Sequence, residues 1–429
     1  MHKQVSVNHW LQETVHQTVL PTGLQVFVMP KAGYSKQYAT FSTHFGSIDN
    51  KFKLPGQTGI TEVPDGIAHF LEHKLFEEEY GNVFDEFAQL GANTNAFTSW
   101  NTTSYLFSCT DNFAANLELL LDFVQRPYFT EDNVAKEKGI IEQEIRMYQD
   151  SPHWRGFFNL LAALFELHPV RIDIAGTVDS IQGITPQNLL QCYQTFYHPS
   201  NMAVFITGDV EPERVLAQVE ANIGKHDYVL QAPIERIYPK EPTGIFKREV
   251  AASLAVSRAS ILLGFKDRQI GFGGDALLTK EIATEIILEA VFGKGSDLYN
   301  RLYEQGLVDE NFNGEYLVDR SYGASVVGGE SRDPDKLQAE IVQELNRLRK
   351  KGLDEASLLR SRKKLLGGFI RGFNSLEFVA NNFLNYHFLG TSMFAYPTLL
   401  REISLSTLQT RFREHFDLDN MAVSRIEPK

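Results

Sequence analysis

Polar and apolar residues alternate along Leu24-Gln25-Val26-Phe27-Val28 and again from Tyr38 to Phe45, the period of two that marks strands. Further short strands are predicted at 94–98, 104–110 and 202–207. Apolar residues recur at helical spacing near 66–79, 82–90, 112–125 and 131–149. Strands and helices come in separated groups rather than in strict alternation. The predicted class is α+β, a mainly antiparallel sheet with helices packed on one side.

The pattern then repeats. Ile184 to Val204 reads ITPQNLLQCYQTFYHPSNMAV, and Ile403 to Val423 reads ISLSTLQTRFREHFDLDNMAV, at a constant offset of 219. Ile184, Leu189, Tyr193 and Tyr197 recur as Ile403, Leu408, Phe412 and Phe416, and Asn201-Met202-Ala203-Val204 returns as Asn420-Met421-Ala422-Val423. An ungapped match of this kind points to duplication of a half of about 200 residues. Two homologous domains are expected, at 1–225 and 249–429. The linker between them, 226–248, holds three prolines and many charges.

One predicted helix carries chemistry. In Pro64-Asp65-Gly66-Ile67-Ala68-His69-Phe70-Leu71-Glu72-His73-Lys74-Leu75-Phe76, the two histidines are four residues apart and emerge from one helical face. Asp65 is the expected N-cap. Glu72 lies on the same side, placed to take a proton rather than to ligate. The other positions are mostly apolar, so the helix is expected to be buried, and two imidazoles with a carboxylate are costly there unless they pair or bind a metal. A catalytic zinc needs a third protein ligand. The helix predicted over 131–149 offers one: Ile140, Tyr148, Ile141, Val134 and Ile145 share an arc that also contains Glu137 and Glu144, seven residues apart, while Glu142 points away. Glu144 is assigned as the third ligand, and Glu137 as the carboxylate that receives the N–H of a ligand histidine.

Composition narrows the field. Hydrophobic residues make up 43% and charged residues 22% of 429, an ordinary globular mixture with ample core. The formal net charge of −13 argues against nucleic acid, whose phosphates require Lys and Arg. Cys109 and Cys192 sit in apolar stretches and read as buried thiols. The best apolar run, Phe157 to Leu167, is broken by Asn159 and Glu166, so no membrane span is expected. The first residues lack a basic head followed by an apolar run, which makes a cytoplasmic enzyme the default expectation. Gly293-Lys294-Gly295-Ser296 lacks the order of a phosphate-binding loop and reads as a turn. No Gly-x-Ser-x-Gly elbow is present. His153, His168 and His198 each occur singly and read as structural.

The His69–His73 element followed by Glu137-x6-Glu144 resembles the pitrilysin/insulinase family of zinc peptidases, the inverzincins with H-x-x-E-H, whose members include the mitochondrial processing peptidase. Leu20-Pro21-Thr22-Gly23-Leu24, Gly91-Ala92-Asn93-Thr94-Asn95-Ala96-Phe97-Thr98 and the duplicated Asn-Met endings extend the resemblance over the whole chain, which looks most similar to short bacterial members of two homologous domains. The resemblance implies one Zn2+ per chain held by His69, His73 and Glu144. It implies Glu72 as general base toward a metal-activated water, and a strand edge at Asn95-Ala96 that takes peptide substrate in extended form.

The second half shows no such site. Ile286-Ile287-Leu288-Glu289-Ala290 is the expected counterpart of the metal helix, with Ile286 and Ala290 where the histidines would stand. The family's other half usually brings an Arg and a Tyr to the substrate. Aligned on Gly306-Leu307, those positions hold Leu302 and Asp309, while Arg301 and Tyr303 point elsewhere. A dimer is therefore expected, with a homologous metal-free subunit supplying the Arg and Tyr. The alternatives are a structural subunit of the same fold without activity, and a peptide-binding subunit that keeps zinc for structure.

Overall fold

Alternating β-branched and aromatic residues set the strands, and longer apolar-striped segments set the helices. The computed structural model describes residues 2–8 and 10–429. The first half runs β1 (His2–Asn8), β2 (Glu13–Val19), β3 (Gln25–Pro30), β4 (Gln37–Thr43), β5 (Lys51–Lys53), β6 (Ile60–Glu62), α1 (Ile67–Leu75), β7 (Glu77–Glu78), β8 (Gly81–Asn82), α2 (Val83–Gln89), β9 (Asn93–Thr98), β10 (Thr103–Cys109), α3 (Phe113–Val124), α4 (Glu131–Asp150), α5 (Pro152–Leu164), α6 (Val178–Gln182), α7 (Pro186–Phe196), β11 (Met202–Gly208), α8 (Pro212–Ile223) and β12 (Glu235–Arg236). The second runs β13 (Glu249–Leu254), β14 (Ala259–Lys266), α9 (Gly274–Phe292), α10 (Asp297–Glu304), β15 (Asn313–Val318), β16 (Gly323–Ser331), α11 (Pro334–Lys351), α12 (Glu355–Gly372), α13 (Leu376–Phe388), α14 (Tyr396–Glu402), α15 (Leu405–His415) and β17 (Met421–Pro428). Among the described residues no helix is long and apolar enough to cross a membrane.

The first unit holds a seven-stranded sheet, β1-β2-β3-β11-β4-β10-β9. The second holds a five-stranded sheet, β13-β17-β14-β16-β15. Laying β3 on β13 makes the last five strands of the larger sheet correspond one by one to the smaller. Each set has one parallel pair, β3 with β11 and β13 with β17, and is otherwise antiparallel. The repeated asparagines do one job twice. Asn201 Nδ2 donates to the carbonyl oxygens of Phe196 and His44, and Asn420 Nδ2 to those of Thr243 and Lys266, tying the start of the last strand to backbone at the end of its neighbour. This satisfies buried carbonyls that no ladder reaches.

The units do not follow the chain. One comprises the segment up to Ile145 with Asp173–Ile237 and Gly372–Phe388; the other comprises Arg146–Ile172, Tyr238–Arg371 and Leu389–Lys429. Each unit thus covers its sheet with a helix from the opposite half of the sequence. In the second unit α5 packs on β13, β14 and β17, so tightly that a Cβ on Gly264 would lie 2.7 Å from Leu164 Cδ1. In the first unit α13 packs on β4 and β11, with the Phe383 ring 4.8 Å from both Phe27 and Phe205. The division expected from the sequence, 1–225 and 249–429 around a connector at 226–248, captures the repeat but not this exchange. Within the connector, β12 pairs with β5 in a small three-stranded sheet.

Phe383 is therefore a core residue of a unit whose other core strands lie more than 150 residues away in sequence. Phe383→Ala is expected to destabilise that unit by about 3–5 kcal/mol. Urea unfolding followed through the first unit's fluorescence checks this.

Candidate metal centre

The helix α1 begins at Gly66, which adopts φ +89°. A Cβ there would sit 2.4 Å from the Ala175 carbonyl oxygen, so close approach and the left-handed backbone both require glycine. The expected cap, Asp65, does not cap. Its carboxylate accepts from Asn50 Nδ2 at 2.9 Å, and its carbonyl accepts from Ser180 Oγ at 2.8 Å. The helix ends at Leu75, short of the predicted 79, because Glu77–Glu78 turns into a two-strand ribbon with Gly81–Asn82. Ile67, Ala68, Phe70, Leu71 and Leu75 are buried, which fixes the helix rotation and sends His69, Glu72 and His73 to one side.

Glu137 and Glu144 face that side from α4. His69 Nε2 lies 3.7 Å from one Glu144 oxygen, and His73 Nε2 lies 3.6 Å from the other. His73 Nδ1 meets Glu137 Oε1 at 3.0 Å, which commits that nitrogen and leaves Nε2 turned toward Glu144. Among the described residues, His69, His73 and Glu144 are the one group of three able to hold a metal, and Glu142 takes no part in it. Ile140, placed by its spacing on the buried arc, is instead 46% exposed and lines the cleft. Helix periodicity alone does not distinguish a core face from a cleft wall.

The donor set suits zinc. The nitrogen-to-oxygen distances are too long for hydrogen bonds. Two ligands at about 2.1 Å from a tetrahedral zinc lie roughly 3.4 Å apart, close to the spacing found. His69 Nδ1 is buried without a hydrogen-bond partner, so the protein leaves this ring only partly satisfied. Burial, with the neighbouring His73, pushes His69 down to about 3, keeping it a neutral ligand. For His73, burial is outweighed by the Glu137 hydrogen bond and by the charges of Glu72, Glu137 and Glu144, and its pKa lies above the ordinary value. Burial pushes Glu72 up to about 7, against the pull of a Thr98 hydrogen bond and of His73, with Glu144 adding to the rise.

The cleft beside these residues has a volume of about 760 Å³ and is lined by Glu72, His73, Phe76, Tyr80, Phe84, Asn95, Ala96 and Ile140 among others. Asn95 and Ala96 lie on β9, the outermost strand of its sheet, hydrogen-bonded in the ladder only to β10. The Ala96 N–H donates to Asn95 Oδ1 at 2.9 Å. Two polar side chains near these residues were not singled out in the sequence. Thr98 Oγ1 hydrogen-bonds Glu72 Oε2, and Lys74, fully buried on α1, pairs with Glu77. The even spacing of Ala96 and Thr98 on a strand was the available signal for the first. The second had none, because an i,i+3 pair reads equally well as solvent-exposed.

The second unit carries the same cleft without the chemistry. Laying Phe76 on Phe292 matches its lining to a cavity of about 580 Å³ formed by Leu288, Glu289, Phe292, Gly293, Lys294, Glu315, Tyr316 and Lys364 among others. His69 then corresponds to Glu285, Glu72 to Leu288 and His73 to Glu289. This corrects the expected counterparts, Ile286 and Ala290, by one residue, which is 100° around the helix. The connection to the next helix is shorter in the second unit, 293–296 against 76–82, and an ungapped repeat does not register that difference. Glu289 pairs with Lys364 at 2.6 Å, and Glu285 accepts from Tyr396 Oη at 3.0 Å. Leu302 is wholly buried, and Arg301 is turned to Glu344 at 3.4 Å.

Comparison with known proteins agrees with this division. Residues 60–178 match the model "Insulinase (Peptidase family M16)", and residues 183–365 match "Peptidase M16 inactive domain". The chain is 46% identical over 420 residues to the "Uncharacterized zinc protease YmfH" of Bacillus subtilis (strain 168), covering 98% of each. It superposes on the crystal structure of a putative M16-like peptidase from Alicyclobacillus acidocaldarius with TM-score 0.94 and 39% identity, covering 97% of this chain and 99% of that one. A Helicobacter pylori protease shares the fold at TM-score 0.82 and 21% identity, covering 96% and 99%.

A metal at His73 Nε2 must displace that nitrogen's proton from an imidazolium that the Glu137 hydrogen bond to Nδ1 helps to stabilise. Zinc affinity is expected to fall as pH drops through the raised His73 pKa, and calorimetric titration in buffers of different ionisation enthalpy should show more proton release at about pH 6 than at about pH 8. Glu137→Gln is expected to weaken zinc binding about 10- to 100-fold.

Proposed function

We propose, for a chain that belongs to the insulinase family of peptidases (peptidase family M16), that it is a zinc-dependent endopeptidase acting on peptides or unfolded segments. His69, His73 and Glu144 would hold one Zn2+, with Glu72 as general base. The observation that carries this reading is the convergence of both Nε2 atoms on one carboxylate at 3.6–3.7 Å, beside a second carboxylate that ligates nothing. Zinc, when bound, supplies Lewis acidity that acidifies a water and polarises the scissile carbonyl.

The chain's own residues do the rest. Glu72 takes a proton as the bond to the carbonyl carbon forms, and returns it to the leaving amine. Both transfers call for a pKa near neutrality, and burial raises Glu72 to about 7. The free edge at Asn95-Ala96 supports binding of an extended backbone with little demand on sequence, as strand addition does. Positioning through backbone groups holds the scissile bond against the metal helix.

The electrostatic support that the family draws from an Arg and a Tyr is missing at Leu302 and Asp309. This favours a catalytic subunit that works in a pair with a homologous metal-free chain. Such a donor is worth roughly 3–4 kcal/mol of barrier.

Glu72→Gln is expected to retain one zinc per chain while turnover of an unstructured peptide falls about 10²- to 10⁴-fold. Near-normal cleavage by this variant would sink the assignment, and peptide binding without turnover in the zinc-loaded natural chain would favour a non-catalytic subunit. Addition of a co-expressed homologue should raise kcat; full activity from the single chain alone would remove the partner.

A further inference from the structure

We infer that Thr98 is a positioning residue for Glu72: its hydroxyl fixes one carboxylate oxygen and leaves the other as the single atom that exchanges a proton. The inference rests on the reading of Glu72 as general base and adds a residue to it.

Glu72 is only 8% exposed, and among the described residues Thr98 Oγ1 is its one hydrogen-bond donor, on Oε2. Thr98 is the last residue of β9. Strand alternation puts Thr94, Ala96 and Thr98 on one face, the less exposed one, while Asn93, Asn95 and Phe97 are on the other. The same strand therefore offers its edge to substrate and one of its side chains to the base.

With Glu72 ionised, proton counting fixes the direction of the bond. Thr98 has one hydroxyl proton and two candidate acceptors, Glu72 Oε2 and Thr103 Oγ1 at 3.4 Å. Thr103, opposite Thr98 in the ladder, donates its own proton to the Phe45 carbonyl at 2.9 Å, which has none to give back. Thr103 can therefore only accept from Thr98. The shorter contact to Glu72 takes the Thr98 proton, because a carboxylate is the stronger acceptor. Behind them the buried hydroxyls of Tyr105 and Tyr197 meet at 2.8 Å, with Tyr197 beside Thr103, so a rigid hydroxyl cluster backs the pair.

A neutral donor suits this place. Lysine or arginine would trap Glu72 as a permanent ion pair, and an apolar side chain would leave Oε2 unsatisfied in a buried site. A single hydroxyl orients the carboxylate and leaves Oε1 open.

The test uses the full zinc-loaded chain. Thr98→Val, isosteric without the hydroxyl, is expected to lower kcat about 10- to 100-fold, with zinc content and KM unchanged, and Thr98→Ser to restore most of the rate. Wild-type kcat in Thr98→Val overturns the proposal. A second readout does not depend on turnover. Thr98→Val is expected to lower the urea midpoint in the natural chain but not in a Glu72→Ala background. An equal drop in both backgrounds overturns the proposal even if Glu72→Gln shows that Glu72 is not the base. A drop confined to the natural chain upholds the contact, and then only the general-base reading fails.

Discussion

Two imidazoles and a carboxylate that converge without hydrogen-bonding one another are the constraint on which the first unit is built. The distances of 3.6 and 3.7 Å leave the facing nitrogens and oxygens without a hydrogen bond to one another, in half-buried positions beside the cleft. A cation at their centre would satisfy all three. Holding them apart at this spacing takes two helices set by unrelated means. α1 is fixed by its apolar face and by Gly66 pressed on the Ala175 carbonyl, and α4 by Val134, Ile141 and Ile145 in the core. The Glu137–His73 bond then locks one imidazole between them. Edge strand, cleft and Glu72 are arranged around this cluster.

The second unit shows what the fold does without that constraint. Its sheet keeps the strand order and the single parallel pair, so the scaffold does not depend on metal. Its buried charge is placed elsewhere, with Asp267 at the centre of several partners. Asp267 is held by Arg411 at 2.6 Å and Lys280 at 2.9 Å, with the Tyr316 hydroxyl also at 2.6 Å, which keeps its carboxyl far below the usual range despite burial. The Asp267 charge is met from several sides, while Arg411 Nη1 and His415 Nδ1 in the same cluster stay buried without a hydrogen-bond partner. The first unit's His69, His73 and Glu144 instead face one another without hydrogen bonds between them.

Sequence patterns carried much of this. The i, i+4 histidines and the two glutamates seven apart are periodicities of single helices, so the groups that converge were legible before any packing was known. The repeat was legible because Asn201 and Asn420 clamp backbone in the same way, and a side chain with that task tolerates little drift. Three features were not legible, each because it depends on contacts distant in sequence. Gly66 rather than Asp65 starts α1 because of a carbonyl more than 100 residues away. The exchange of α5 and α13 between units leaves no local mark, since an apolar helix face does not name the sheet it covers. The second-half register slipped by one residue because loop length, not helix pattern, sets it.

That slip changes what the second unit means. With Ile286 and Ala290 at the histidine positions, the second cleft would be an apolar remnant. With Glu285 and Glu289 there, it is a polar site in which Lys364 already answers Glu289 at 2.6 Å. An incoming divalent cation would meet that ammonium rather than an open carboxylate pair, and the position matched to Glu72 is Leu288, which carries no proton. Restoring a metal site would require replacing both glutamates, supplying a third ligand and a base, and removing the lysine. Replacing Glu289 alone would leave Lys364, which is 58% exposed, without its partner, and removing Lys364 alone would leave the Glu289 carboxylate, 17% exposed, unpaired.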